Sequence, residues 1–296
     1  MNSRIAVPSA MAAAFALLLF ALVLCCLSGQ AVSSGSGLRD LARPNFYIGA
    51  AVSYDGFTTS AQYRSTLQSE YNIMMADNFG KMYELEPSRG SFSFSRQDAL
   101  CSFAEAHRMK MEGGPLVWAQ AVPTWVTNGR FSARQLQVIM TQYITTVVKH
   151  YESTCPGVII AWEVVNEETT SGPGVWGTIS DYVQIAFKAA RAANSNVTLF
   201  YNDFHDEENA TAVYNLVAPL KRQGLLDAVG FQSHFASVPD FGSIAASMQK
   251  FASVGLQVFV TEFDYRIPSS DRRTASNPTD LQMWVPEILS HWFRKF

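Results

Sequence analysis

The chain has 296 residues, 48% hydrophobic and 16% charged, with a formal net charge of -3. That length suits one large α/β barrel or two small domains, and at this size about three quarters of the unfolded surface can be buried. The slightly acidic balance offers no basic stripe for nucleic acid, and the sequence has neither metal-ligand spacing nor a Gly-rich phosphate loop.

The N-terminus reads as a secretory signal over residues 1–31. Arg4 is the basic start, Ala10 to Leu27 is apolar throughout, and Gly29-Gln30-Ala31 offers small residues for cleavage. A run of this length can also span a bilayer, so a retained anchor is the alternative. A Ser/Gly-rich linker, 32–37, follows. Cleavage predicts a secreted, extracellular protein with no membrane association. Cys25 and Cys26 leave with the signal. Cys101 and Cys155 remain, and an oxidising compartment permits a bridge that their spacing alone does not establish. Asn196-Val197-Thr198 and Asn209-Ala210-Thr211 are glycosylation sequons, whereas Asn277-Pro278-Thr279 is blocked by its proline.

From residue 46 short apolar runs alternate with stretches of helical period. The predicted strands are 46–53, 72–77, 112–119, 158–167, 198–204, 228–235 and 257–264, near-continuously apolar as parallel strands covered on both faces are. The predicted helices are 60–69, 95–108, 132–150, 179–193, 207–223 and 240–253. Ser132 caps the third, and Leu136, Ile139, Met140, Tyr143 and Val147 give it an apolar face. Repeated βα units mean a parallel sheet, either open or closed as a barrel. Polar groups at many strand ends favour the barrel: Asp77 and Asn78, Asn166 and Glu167, Asn202 and Asp203, Gln232 and His234, Glu262 and Asp264. In a barrel these ends converge on one mouth, whereas an open sheet gathers them at one switch point. Residues 38–296 are therefore predicted to form one catalytic barrel of the α/β class, a (β/α)8 TIM barrel. Only seven strands are counted. A last helical stretch, about 280–295, precedes Phe296, and the eighth strand is predicted to be missing from a C-terminally truncated chain.

Two strand ends carry glutamates, Glu167 after the fourth strand and Glu262 after the seventh. Opposed carboxylates are the equipment of glycoside hydrolysis, one protonating the leaving oxygen and the other attacking the anomeric carbon. A His234 placed between Asp264 and Glu262 would orient the nucleophile, which favours Glu262 for that role. Asn166, whose amide can bind a sugar 2-hydroxyl, favours Glu167 as acid/base. Trp118, Trp125, Trp162 and Trp176 could stack on sugars or simply fill the core.

The strings "EPSRGSFSFSRQDAL", "LVW", "WEVVNE", "YND", "QSHF" and "VTEFD", in that order, resemble glycoside hydrolase family 10, the endo-β-1,4-xylanases, from about Leu38 to Arg266. The resemblance implies a (β/α)8 barrel that hydrolyses xylan with retention, needs no cofactor or metal, and takes a polysaccharide partner. A monomer is expected. It implies Glu167 as acid/base and Glu262 as nucleophile, His234 and Asp264 in the nucleophile's network, and Asn166 and Gln232 lining the site. Asn78 and Lys81 match residues that grip a sugar, and Asp77 and Trp118 stand beside them. Three positions depart from the family pattern: Asp77 where Glu is usual, and Gly114 and Ala119 where histidines are usual. The departures leave open another plant β-glycan or a glycoconjugate as substrate, or a non-catalytic glycan-binding or decoy barrel.

Overall fold

The structure, a computed structural model, describes residues 37–42, 46–204, 210–237 and 239–266. The predicted signal, linker residues 32–36, Asn209, Asn277 and the predicted helix 280–295 lie outside the described residues.

Seven strands form one all-parallel sheet in chain order: β1 (Gly49–Val52), β2 (Ile73–Ala76), β3 (Lys110–Gly113), β4 (Ile159–Asn166), β5 (Thr198–Asp203), β6 (Ala228–Phe231) and β7 (Gln257–Val260). The helices between them include α1 (Ala61–Glu70), α2 (Ser95–Ala106), α3 (Ala133–Thr154), α4 (Tyr182–Ala193), α5 (Thr211–Arg222) and α6 (Phe241–Ala252). This is the expected βα alternation. The sheet curls into a partial barrel, because residues of β1 (Gly49, Ala50) and of β7 (Phe259, Val260) line the same interior cavity of about 760 Å³.

All seven strands are shorter than their predicted runs, and three of those runs break inside. The run 112–119 breaks after β3, where Gly114 takes φ +115° and Pro115 has no N–H for a ladder; a two-residue strand, Val117–Trp118, then rejoins β4. The run 228–235 breaks at Ser233, φ +63°, and resumes at His234–Phe235. The run 257–264 stops at Val260, and Asp264–Tyr265 pairs instead with His234–Phe235. Helix α4 starts later than predicted because Gly174–Thr178 forms a 3-10 turn and Asp181 is left-handed.

Helix α3 follows its sequence signals. Ser132 and Gln135 form a reciprocal capping box, and Leu136, Ile139, Met140, Tyr143 and Val147 are all buried. Cys101 on α2 and Cys155 after α3 are joined by a disulfide, with Cα atoms 6.3 Å apart. Of the four tryptophans, Trp162 and Trp176 are core, while Trp118 and Trp125 are half-buried.

Gly113 is paired in register with Trp162, and a Cβ there would lie 2.4 Å from the indole ring. Replacing Gly113 by Ala overpacks a site that has no room, and is expected to lower the unfolding free energy by about 1–3 kcal/mol in urea denaturation. An unchanged midpoint would mean that the ring does not rest on β3.

Inside the barrel, Glu112 on β3 and Glu163 on β4 face the same cavity as Glu262. Loss of hydration, and then the charge of Glu262, push the Glu112 carboxyl up to about 8. The folded chain thus keeps a proton that the unfolded chain releases near 4.5. The stability it contributes is complete below about 4.5 and is lost as pH rises towards 8. Glu112→Gln should match the parent at pH 4, exceed it at pH 8, and flatten the stability–pH curve between. Parallel curves for the two chains would overturn this.

Candidate active site

The mouth of the partial barrel is built by register. Asn166, Asn202, Gly230 and Phe259 occupy one row across β4, β5, β6 and β7. The chain leaves that row through strained turns. Glu167 takes φ +58° and Ser233 φ +63°, left-handed conformations that cost roughly 1–2 kcal/mol in a residue with a Cβ. Such strain collects where a side chain has to be aimed. At Glu167 it turns the carboxylate off the strand end and into the mouth.

Glu167 is 7% exposed and ringed by donors. Its Oε1 accepts from Gln232 Nε2 at 2.9 Å and Asn166 Nδ2 at 3.4 Å. Its Oε2 accepts from Ser171 Oγ at 2.7 Å, Trp118 Nε1 at 2.9 Å and Gln120 Nε2 at 3.5 Å. Gln232 Nε2 also donates to Asn166 Oδ1 at 3.2 Å, so the two amides and the carboxylate form one buried triangle.

Glu262 has a different shell. Asn202 Nδ2 donates to its Oε1 at 2.7 Å, and His234 Nε2 lies 3.3 Å from its Oε2. The other ring nitrogen, Nδ1, is 2.8 Å from Asp264 Oδ2. His234 therefore stands between the two carboxylates, as the sequence suggested, and an acceptor faces whichever nitrogen carries a proton. Burial raises the Glu262 carboxyl above its ordinary range; the Asn202 and His234 contacts lower it, and the Glu167 charge raises it again, for a net upward shift.

Asn202 is fully buried and ties the interior to the mouth. Its Oδ1 accepts from Thr261 Oγ1 at 2.7 Å, and its Nδ2 also reaches Glu163 Oε1 at 3.4 Å. Gly230 makes room for it, since a Cβ there would lie 2.6 Å from Asn202 Oδ1. Desolvation, then the charges of Glu262 and Glu112, push the Glu163 carboxyl far upward, against the lowering Asn202 bond.

After β2, Asp77 and Lys81 line the same cavity. Asp77 accepts from Asn78 Nδ2 at 3.1 Å, and Asn78 Oδ1 accepts from Lys81 Nζ at 2.9 Å and Tyr83 Oη at 3.0 Å. Lys81 Nζ sits 5.1 Å from the Trp118 ring, joining this cluster to the Glu167 shell. Asp77, Lys81, Trp118, Asn166, Glu167, His234 and Glu262 line the cavity. Asn78, Gln232 and Asp264 are joined to these residues by hydrogen bonds, whereas Trp162 and Trp176 lie in the core.

Sequence reasoning missed Ser171, Gln120, Tyr83 and Thr261 as site residues, and noted Asn202 only as a polar strand end. Ser171 and Gln120 sit in loops with no periodic signal. At Gly114 and Ala119 there is little space for larger side chains. A Cβ on Gly114 would lie 2.5 Å from the Glu163 carbonyl oxygen, and Ala119 packs so closely that a Cβ on Gly174 would meet its Cβ at 2.8 Å. No group of His, Cys, Asp and Glu among the described residues is arranged to hold a metal ion.

The profile of Glycosyl hydrolase family 10 matches residues 37–291. The endo-1,4-beta-xylanase A of Phanerodontia chrysosporium is 34% identical over 81% of this chain and 61% of its own length. The endo-beta-1,4-xylanase Xyn10C of Cellvibrio japonicus is 34% identical over 78% of this chain and 42% of its own. The chain thus spans less than two thirds of these relatives. Among solved structures, native xylanase10C from Cellvibrio japonicus superposes with a TM-score of 0.74 at 32% identity, covering 82% of this chain and 56% of that one. The intracellular xylanase TsXylA from Thermoanaerobacterium saccharolyticum gives 0.75 at 30% identity, covering 84% and 82%. The strand-end carboxylates and their shells, the parallel curled sheet and these likenesses agree: the chain belongs to glycosyl hydrolase family 10.

Proposed function

We propose that the chain is a secreted, monomeric endo-β-1,4-xylanase that cleaves its polysaccharide with retention and without a cofactor. The observation that carries this reading is the pair Glu167 and Glu262. They come from β4 and β7, face one cavity, and are held by separate donor sets. Family membership supports glycoside hydrolysis, and the relatives are named as xylanases. One structural neighbour, a mutant xylanase10C, is in complex with xylopentaose, which favours xylan as the glycan here.

The chemistry divides between the two carboxyls. Glu167 gives its proton to the glycosidic oxygen as a Glu262 oxygen attacks the anomeric carbon, forming a covalent glycosyl ester and releasing the first product. Glu167, now ionised, takes a proton from water, which attacks the same carbon and frees Glu262. Glu262 has to attack as the carboxylate. Burial opposes that form, and the Asn202 and His234 contacts offset part of the opposition. Asp264 holds the imidazole on its far side.

Reducing-sugar release from xylan, with mannan and mixed-linkage β-glucan alongside, tests the proposal. The chain is expected to release sugar from xylan, and Glu262→Ala to abolish it. Glu167→Ala should lose about 10²–10⁴-fold on xylan and far less on aryl xylobiosides with activated leaving groups. Equal losses on both substrate kinds would remove Glu167 from the acid/base role. Release from mannan or β-glucan alone would reassign the substrate, and a folded chain silent on all three would favour glycan binding without turnover.

A further inference from the structure

Five donors surround the Glu167 carboxyl. Four of the contacting atoms are nitrogens of Trp118, Gln120, Asn166 and Gln232, which can only donate. The fifth is the Ser171 hydroxyl, the shortest contact at 2.7 Å, and a hydroxyl can donate or accept. A residue that alternates between acid and carboxylate presents a donor in one state and only acceptors in the other. Ser171 alone among the five contacting atoms can answer both.

The chain goes to some length to put Ser171 there. The turn after Glu167 closes on itself, with Ser171 N and Gly172 N donating to the Glu167 carbonyl at 3.0 and 3.1 Å. Fully buried Asp203 clamps its middle, accepting from Thr169 N at 3.2 Å, from Thr169 Oγ1 at 2.6 Å and from the Thr170 hydroxyl. The small side chain of Ala119 lets the loop settle at Gly174. Gln120 Nε2 reaches Ser171 Oγ at 3.3 Å from the opposite side. Ser171 itself is exposed, so its hydroxyl does not serve the core.

We infer that Ser171, steadied by Gln120, is a positioning residue for the proton donor: its hydroxyl donates to the Glu167 carboxylate and turns to accept from the carboxylic acid. Glu167 is thereby held in one orientation through both halves of the reaction. This rests on the reading of Glu167 as acid/base. Because kcat/KM reports the first half of the reaction, it predicts a kcat/KM defect confined to substrates whose leaving oxygen needs a proton.

The test compares kcat/KM of the full chain and its variants on xylan and on 2,4-dinitrophenyl β-xylobioside, whose leaving group departs without protonation. Ser171→Ala is expected to lose about tenfold on xylan, the worth of one hydrogen bond to a charged group, with the aryl substrate changed less than about twofold. Ser171→Thr, which keeps the hydroxyl, should recover most of the xylan rate. Equal losses on both substrates, no loss on either, or a Thr variant no better than Ala would overturn the inference. Glu167→Ala measured alongside separates the two failures. If it does not discriminate between substrates, or the folded parent chain turns over no glycan, the acid/base reading falls and this inference with it. If it discriminates and Ser171→Ala does not, only the role of Ser171 falls.

Discussion

The structure depends on the register of parallel strands β4, β5 and β6. Opposing Asn166 with Asn202, and Asn202 with Gly230, sets two amides and a gap in one row at the C-terminal edge. A slip of one residue would turn each side chain to the other face of the sheet. Asn166 would leave the Gln232–Glu167 triangle, and Asn202 would lose Glu262 and Thr261 together. The heavy apolar burial of β4 and β5, including Trp162, Val164, Leu199 and Tyr201, holds that register with a large hydrophobic penalty against slippage. The same residues that make the core therefore fix the polar row at its edge.

Much of this was legible in the sequence because strand ends obey a simple rule. An apolar run that stops in Asn-Glu or Thr-Glu has a rigid arm behind its carboxylate, and His234 between two acids is a recognisable relay. The sequence did not show how the chain continues past the strand. Ser171 reaches Glu167 only because Glu167 is left-handed and Asp203 clamps Thr169 and Thr170, and no periodicity encodes such a path. Glu163 and Glu112 were hidden for the opposite reason. They sit inside apolar runs whose alternation is weak, so nothing marked them as inward-facing. The predicted strands ran across the breaks at Gly114 and Ser233, although Gly113-Gly114-Pro115 and Gln232-Ser233-His234 interrupt the apolar composition at both places. The disulfide between Cys101 and Cys155 needed the packing of α2 against the end of α3, which spacing alone does not give.

The departures from the family pattern are mutually consistent. Gly114 lies against the Glu163 carbonyl, where no side chain fits, and Ala119 lies under Gly174. Both small residues let backbone approach backbone near the mouth. The donors that a histidine at 119 would carry are replaced in kind, though not in place, by Gln120, the next residue in the chain, and by Ser171 on the loop that Ala119 admits. The polar demand of a buried carboxylate has been met by the neighbouring residue and by a second segment.

The interior carboxyls bear on the same point from below. Glu112, Glu163 and Glu262 face one cavity, and His234 and Lys81 are the basic side chains lining it among the described residues. Each ionisation there raises the cost of the next, so the three cannot be charged together at little cost. Glu262 has the compensation that the others lack: an Asn202 donor at 2.7 Å and an imidazole beside it. Glu163 has only the longer 3.4 Å edge of the same amide. Protonation is therefore favoured at Glu163 and Glu112 over Glu262, which has the donors to carry a negative charge at the mouth. Asn202 sets that order by giving its short bond to one carboxylate and its long bond to the other.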